Sequence, residues 1–251
     1  MDAAWPAADR EDSGGWVLRA ASGVTQRANS VWPREVGVDA HAQLAALQDA
    51  RLWYRARRLP LIFQVFDDPR SAPLNAVLDS EGFTRQSETL VMVRGGGSAA
   101  ASGDGVEISS QPSAEWLRLW WSVDGRGDAE ALDVARGILT GCPSLYALVR
   151  DDDGAPAAAG RLALPDAEPG SPRHGGLYCM ATRPDLRRRG YASRVLQALL
   201  EEGARLGLAG YWLLVTAANT GAQELYARAG FGESGRYLYR QERPKRHLTG
   251  C

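Results

Sequence analysis

The residues that could do chemistry in this chain gather around one turn. Arg187, Arg188 and Arg189 stand against Gly190, directly ahead of an apolar-periodic run, in the segment RPDLRRRGYASRVLQALLEEG at 183–203. The first turn of a helix has unpaired N–H groups and carries the positive end of the helix dipole, so it is a ready seat for an anion. Gly190 lets the backbone approach a ligand closely, because no Cβ intervenes. The three guanidinium groups add positive field around that mouth, and without an anion each opposes the dipole by about a few tenths of a kcal/mol. Two readings of the turn stay open: a seat for phosphate, and a solvated basic turn.

Other chemistries find less support. Cys142, Cys179 and Cys251 are an odd, widely spaced set without a CxxC pair, and none clusters with His41, His174 or His247 at metal-ligand spacing. Neither a disulfide framework nor a metal site is expected. The chain has 251 residues, 45% hydrophobic and 24% charged, with a formal net charge of −1. That balance suits a packed globular protein and gives no global reason to bind nucleic acid or an anionic membrane. The opening MDAAWPAADREDSGGW is mixed and acidic and does not read as a signal peptide, and no run reaches transmembrane length. A cytoplasmic protein is expected.

The elements that must position the turn follow from periodicity. RGGGSAAASGDG at 94–105 has linker composition and divides the chain into lobes at 1–93 and 106–251. In the second lobe VEIS reads as a strand, SAEWLRLWWSV and AEALDVARGIL as helices around the hinge DGRGD, and SLYALVRD and APAAAGRLALP as strands about the turn DDDG. GLYCMAT is a third strand. The run after Gly190 then sets Ala192, Val195, Leu196, Leu199 and Leu206 on one helical face. YWLLV, a short helix at 221–229, Gly230-Phe231 and the strand RYLYR complete it. Alternating strands and helices predict a mixed α/β layer fold.

The first lobe reads as a shortened copy: a helix at 41–58, the strand LPLIFQV, a helix at 73–81, Gly82-Phe83 and the strand SETLVMV. Phe83 falls on Phe231 at an offset of 148, and Val65 on Val215 at an offset of 150. This is an internal repeat at domain scale, and the copy is expected to begin after the first strands of the fold.

NTGAQELYARAGF at 219–231 follows the next strand, and with the arginine turn it makes the chain resemble the GCN5-related N-acetyltransferase (GNAT) superfamily. The family's phosphate loop, Gln/Arg-x-x-Gly-x-Gly/Ala, is matched by Arg187, Gly190 and Ala192. Its later motif, Asn-x-x-Ala-x-x-Leu-Tyr ahead of Gly-Phe, is matched by Asn219, Ala222, Leu225, Tyr226, Gly230 and Phe231. The resemblance spans Val106 to Arg240. It implies a tandem GNAT fold, with a central mixed, mostly antiparallel sheet flanked by helices in each lobe, and acetyl-CoA as co-substrate without a metal.

By the same resemblance, Arg187 and the backbone of Arg188, Arg189, Gly190, Tyr191, Ala192 and Ser193 hold the cofactor's pyrophosphate. The strand before the loop splays at a bulge, where Met180, Ala181 and Thr182 pair with the pantetheine arm, and Asn219 binds near that arm. Tyr226 is implied as the general acid that protonates the departing thiolate. A phenol with an ordinary pKa near 10 is protonated at neutral pH and can serve. GLYCMAT carries no carboxylate for a general base; Asp124, Asp128, Glu130 and His174 are candidates that read equally as solvated loop residues. Trp116, Trp120 and Trp121 are core residues or an aromatic wall for an acceptor. Cys179 reads as a small packed thiol.

Laid on the first copy, the arginine turn falls on GVDAHA at 37–42, Gly190 on Ala40, Tyr226 on Leu78 and Asn219 on Ser71. That copy therefore lacks the arginines, the loop glycine and the phenol, and is read as degenerate. GGWVLRAASGVTQRANSVWP at 14–33 also resembles the opening of bacterial two-lobed acetyltransferases. The expected reaction is direct acetyl transfer within a ternary complex to an amine-bearing small molecule or peptide, by a monomeric pseudo-dimer. The acidic hinge DGRGDAEALD favours a cationic acceptor. Two alternatives stay open: an acyl-CoA-binding module without turnover, and a related enzyme using a longer acyl chain.

Overall fold

The computed structural model describes residues 1–35, 37, 39–97 and 105–243. Contacts divide them into two compact units: Met1–Pro6 with Leu90–Ser234, and Ala7–Thr89 with the described residues from Gly235 on. These are not the sequential halves 1–93 and 106–251. The chain changes unit inside its strands, at 89/90 and 234/235, because the last strand of each copy is shared between units. Composition exposes glycine-rich stretches but not strand partners. Residues 94 and 95 of the expected linker end a strand, Gly96 N–H still bonds to the Ala209 carbonyl at 2.8 Å, and 98–104 lie outside the described residues, as do Lys245, His247 and Cys251.

The smaller unit opens with β1 (Asp9–Ser13), β2 (Trp16–Ala20) and β3 (Trp32–Pro33), an antiparallel sheet in that order. α1 (Ala40–Ala56), β4 (Ile62–Phe66), α2 (Ala72–Ser80) and β5 (Thr84–Gly95) follow, and β11 (Gly232–Gln241) lies between β4 and β5. β11 pairs antiparallel with β4, Tyr237 opposite Phe66 through Gln241 opposite Ile62. Trp16, Leu18, Leu47, Tyr54, Phe63 and Leu78 are among the side chains that fill its core.

The larger unit holds β6 (Val106–Ser109), α3 (Ala114–Asp124), α4 (Ala129–Thr140), β7 (Ser144–Arg150), β8 (Pro156–Ala163), β9 (His174–Thr182), α5 (Tyr191–Arg205), β10 (Gly210–Thr216) and α6 (Thr220–Arg228). Its strand order is β6-β7-β8-β9-β10-β5. β6 to β9 pair antiparallel, and β9 with β10 parallel. α5 buries Val195, Leu196 and Leu199 against this sheet. It seats closely because β8 is a run of small residues: a Cβ on Gly160 would lie 2.7 Å from Val195 Cγ1.

The repeat is fuller than its sequence suggests. β1-β2-β3-α1-β4-α2-β5 matches β7-β8-β9-α5-β10-α6-β11 in order, so the first copy does not begin after the first strands of the fold. Those strands escape periodicity because β2 is buried on both faces and β3 has two residues. The 148-residue offset is visible in the backbone: Phe83 N–H bonds to the Leu78 carbonyl at 2.9 Å, and Phe231 N–H to the Tyr226 carbonyl at 3.0 Å. Gly82 (φ 79°) and Gly230 (φ 85°) make the turn in each copy. No helix among the described residues is long and apolar enough to cross a membrane.

Candidate active site

The site grows from a strand that outruns its neighbour. β9 pairs with β10 only from His174 opposite Gly210 to Leu177 opposite Leu213. On its other edge it stays with β8, Arg161 opposite Tyr178, Ala159 opposite Ala181 and Ala158 opposite Thr182. Between those pairs β9 carries one residue more than β8, a bulge at Cys179–Met180 with Cys179 held at φ 55°. Tyr178–Thr182 therefore extends beyond the last pair with β10. An extended chain entering that gap can add itself to the sheet, as β-augmentation does. Met180, Ala181 and Thr182 lie together there.

A short 3-10 turn, Pro184–Leu186, then leads into the arginines. Arg183 braces this turn, at 2.8 Å from Asp185 and 3.1 Å from Asp151, and the nearby guanidinium holds the Asp185 carboxyl below its ordinary range. Arg187, Arg188 and Arg189 are exposed, and their side chains make no hydrogen bond or ion pair among the described residues, Arg187 bonding only through its backbone N–H to the Pro184 carbonyl. Arg188 (φ 62°) and Gly190 (φ 85°) adopt left-handed backbone, and α5 starts at Tyr191 without a side-chain cap. The first helical bond is Arg194 N–H to the Gly190 carbonyl, at 3.1 Å. The amides from Arg188 to Ser193 meet no acceptor among the described residues, and the space where a Gly190 Cβ would stand is empty to 4 Å. Six donors at the positive end of a fifteen-residue helix, with a basic rim, form a cradle of the kind that can accept an anion.

Asn219 and Tyr226 come from α6. Asn219 is its N-cap, Oδ1 accepting from Ala222 N–H at 3.1 Å, which leaves the exposed carboxamide NH2 free to donate. Tyr226 is 7% exposed, its ring edge-on to Phe231 at 6.2 Å, and its hydroxyl has no partner among the described residues. Burial pushes its pKa up to about 12, so the phenol is neutral throughout the physiological range. It packs in the same apolar cluster as Leu186, Tyr191 and Val215.

The remaining candidates separate. Asp128 caps α4 by accepting from Ala131 N–H at 3.1 Å, and Asp124 and Glu130 are exposed around the same hinge. His174 begins β9, eight residues before Thr182 and so roughly 26 Å from the open end of the strand. Trp116 is core, its indole N–H shared between the Ala147 and Gly160 carbonyls at 3.0 and 3.1 Å. Trp120 is buried, whereas Trp121 is half-buried. Cys179 sits at the bulge itself. No group of three or more His, Cys, Asp or Glu among the described residues could hold a metal.

The first copy answers the cradle with its opposite. Asp39 caps α1, its carboxylate accepting from His41 N–H at 2.9 Å, at the place of Arg189. The helix there carries its own anion. Leu78, at the place of Tyr226, is fully buried.

Comparison with known proteins decides the family. Residues 1–240 match the model for "Probable histone acetyltransferase Rv0428c C-terminal". The chain belongs to this family of GNAT acetyltransferases. It is 25% identical over 248 residues to an uncharacterized N-acetyltransferase, YobR, of Bacillus subtilis, covering 96% of this chain and 95% of that one. It is 31% identical over 206 residues to the probable histone acetyltransferase Rv0428c of Mycobacterium tuberculosis, 82% of this chain but 60% of that protein's length. Among solved structures, a GCN5-related N-acetyltransferase from Kribbella flavida superposes with a TM-score of 0.67 at 21% identity, covering 96% and 91% of the two chains. A tandem GNAT protein from the clavulanic acid biosynthesis pathway gives 0.67 at 14% identity, covering 96% and 86%. At those identities the likeness is one of fold, and it is the two-lobed GNAT fold. The acetyltransferase thus carries a cradle, a parted strand pair and a buried phenol in its larger unit.

One feature escaped the sequence reading. Arg161 interrupts the apolar strand APAAAGRLALP and is wholly buried. A lone arginine inside a strand of small apolar residues was the available signal.

Proposed function

We propose that the chain transfers the acetyl group of acetyl-CoA directly to an amine in a ternary complex, in the cytosol and without a metal. The observation that carries this reading is the set of six unpaired amides, Arg188 to Ser193, opening beside a strand that has lost its neighbour. The pyrophosphate would sit on those amides within the field of Arg187, Arg188 and Arg189. The pantetheine amides would pair with Met180, Ala181 and Thr182, and the Asn219 carboxamide would donate to the same arm. The amine's lone pair forms the new C–N bond, the C–S bond breaks, the leaving thiolate takes a proton from Tyr226, and the proton shed by the amine nitrogen passes to solvent, from which the Tyr226 phenolate is reprotonated.

A phenol near 12 is a weaker acid than an ordinary thiol near 8.5, so in open water the proton would not move. In a dry site the thiolate loses its hydration and its own pKa rises, which narrows the gap and makes donation in the transition state productive. Acetyl-CoA titrated calorimetrically into the protein, followed by free-thiol release with a panel of amines that includes lysine peptides, tests the reading. Absence of acetyl-CoA binding would end it. Binding without thiol release from any amine would favour a non-catalytic acyl-CoA module.

A further inference from the structure

Among the described residues three arginines are almost wholly buried, and two of them meet oxygen acceptors on most of the guanidinium, Arg240 keeping only Nε unpartnered. Arg240 meets the Asp79 carboxylate and Asn75 Oδ1. Arg19 donates to the Ser30 carbonyl, Ser30 Oγ and Gln64 Oε1 at 3.0, 2.9 and 2.7 Å. Arg161, 0% exposed, has neither arrangement. Nε donates to Ser144 Oγ at 3.0 Å and Nη1 to the Ala4 carbonyl at 2.9 Å, and the guanidinium also lies against the Tyr146 hydroxyl, while Nη2 makes no well-formed hydrogen bond among the described residues. Among the described residues no carboxylate lies within salt-bridge distance of it. A buried cation is ordinarily paired, since moving it out of water unpaired is heavily unfavourable.

Its place in the fold gives the vacancy meaning. Arg161 lies opposite Tyr178, the last residue of β9 before the Cys179–Met180 bulge and the first beyond the pairing with β10. Gly160 beside it faces α5, so Arg161 projects from the other face of the sheet. Tyr146, its opposite in β7, points the same way and meets Trp116 of α3 edge-on at 5.1 Å. The guanidinium carbon is 5.8 Å from the Trp5 ring and 5.6 Å from the Tyr178 ring, and those rings stack at 5.4 Å. Trp120, tilted against Trp116 at 5.9 Å, also has a buried indole N–H with no acceptor among the described residues. Two groups that can only donate are thus left without acceptors in the larger unit, and Arg161 is the one opposite the end of the β9–β10 pairing. Half of the guanidinium fork is filled by a single carbonyl oxygen, from the segment Met1–Pro6 that lies over it.

We infer that Arg161 is the seat for a carboxylate carried by the acceptor, so that the amine substrate is an amino acid or a short peptide acetylated close to its carboxyl end. Two carboxylate oxygens match Nη1 and Nη2 together, one replacing the Ala4 carbonyl and one satisfying the vacant nitrogen. Neutralising the buried charge makes the site discriminate strongly against acceptors without the acid, because the guanidinium would otherwise stay unpaired. The aromatic rings of Trp5 and Tyr178 keep the arginine flat and dry. This rests on the proposed acetyltransferase reading, and it is compatible with the acidic hinge, since an amino acid also presents a cation.

The test compares L-amino acids with their carboxamides, on the full chain loaded with CoA or supplied with acetyl-CoA. Binding by calorimetry and thiol release are read in parallel, for the wild type, Arg161→Lys and Arg161→Met. The acid should bind and turn over roughly 10- to 100-fold better than its amide in the wild type, in line with a charge-assisted pair. That ratio should collapse in both variants while acetyl-CoA affinity is kept, and Arg161→Met, which removes an unpaired buried charge, should keep the wild-type melting temperature or exceed it. Acids and amides that bind and react alike, or an acid preference that survives in Arg161→Met, overturn the assignment and leave the acetyltransferase reading standing. Failure of acetyl-CoA to bind the wild type would instead strike that reading, and acids that bind CoA-free protein no better than amides would then strike this one as well.

Discussion

Gly190→Ala separates what the cradle does for the ligand from what it does for the fold. In the free protein the substitution adds a methyl group to empty space, with nothing within 4 Å, at a backbone φ of 85°. The conformational term alone applies, about 1 kcal/mol for a non-glycine residue held left-handed. In a unit of this size that lowers the melting temperature by about 2–4 °C. The same methyl stands where a phosphate oxygen would approach the loop amides. Weakening one charge-assisted bond there is worth about 1.5–3 kcal/mol, or roughly 10- to 150-fold in Kd. Gly154, in the β7–β8 turn, supplies the control: its φ is 79° and its Cβ direction is equally empty. Gly154→Ala should lower the melting temperature by the same amount and leave acetyl-CoA affinity untouched. The two variants are to be compared by thermal unfolding and calorimetry side by side. If Gly190→Ala binds acetyl-CoA as tightly as Gly154→Ala, the loop amides do not hold the cofactor and the assignment of 188–193 fails.

Tyr226→Phe should lower kcat about 10²-fold with acetyl-CoA affinity nearly unchanged, read by steady-state thiol release where chemistry limits the rate; an unchanged kcat removes the phenol from the mechanism. Stability should fall at alkaline pH, because burial raises the phenol of Tyr226 to about 12 and those of Tyr54 and Tyr239 further still. Their protonated forms are favoured only in the folded chain, so nothing changes below the unfolded value near 10, and above it the unfolded state releases protons first. Between pH 10 and 12 Tyr226 alone withdraws about 2–3 kcal/mol, about half of it by pH 11, and urea unfolding at pH 9 and 11 reads that half; equal midpoints contradict the burial argument.

The parts of the site legible in the sequence were those made of backbone and spacing. Gly190 after three arginines announces a cradle because a helix start and a missing Cβ are local facts, and Asn219, Tyr226, Gly230 and Phe231 keep fixed distances along one short helix. The bulge was legible only through the resemblance, since Cys179 at φ 55° has nothing in its type to mark it. Arg161 was missed because its chemistry is an absence, the lack of any carboxylate beside it, and absences of partners exist only in three dimensions. β1 and β2 were missed for a different reason: Gly14–Gly15 closes a hairpin, but a β2 with Trp16 to Ala20 buried throughout shows no alternation to read.

The strand exchange between copies decides whether the second copy can live alone. A chain beginning at Gly105 keeps the cradle, α6 and every strand from β6 onward, so its sequence looks sufficient. It loses Leu90–Gly95, which belongs to the larger unit beside β10, and with it Leu90 and Met92, each 5% exposed in that unit's core. Burying two such side chains is worth about 3–6 kcal/mol together, a large share of a domain's net stability. It also loses Met1–Pro6, and so the Ala4 carbonyl and Trp5 ring over Arg161. Meanwhile Tyr237–Gln241 survives without Phe66–Ile62 to pair with, leaving one strand edge bare at β10 and another at β11. The truncated chain should therefore aggregate or elute as an oligomer by light scattering, and the full chain should run as a monomer in the same measurement. A truncated chain that is monomeric, melts within a few degrees of the full chain and keeps its turnover would show that β5 adds nothing the second copy lacks.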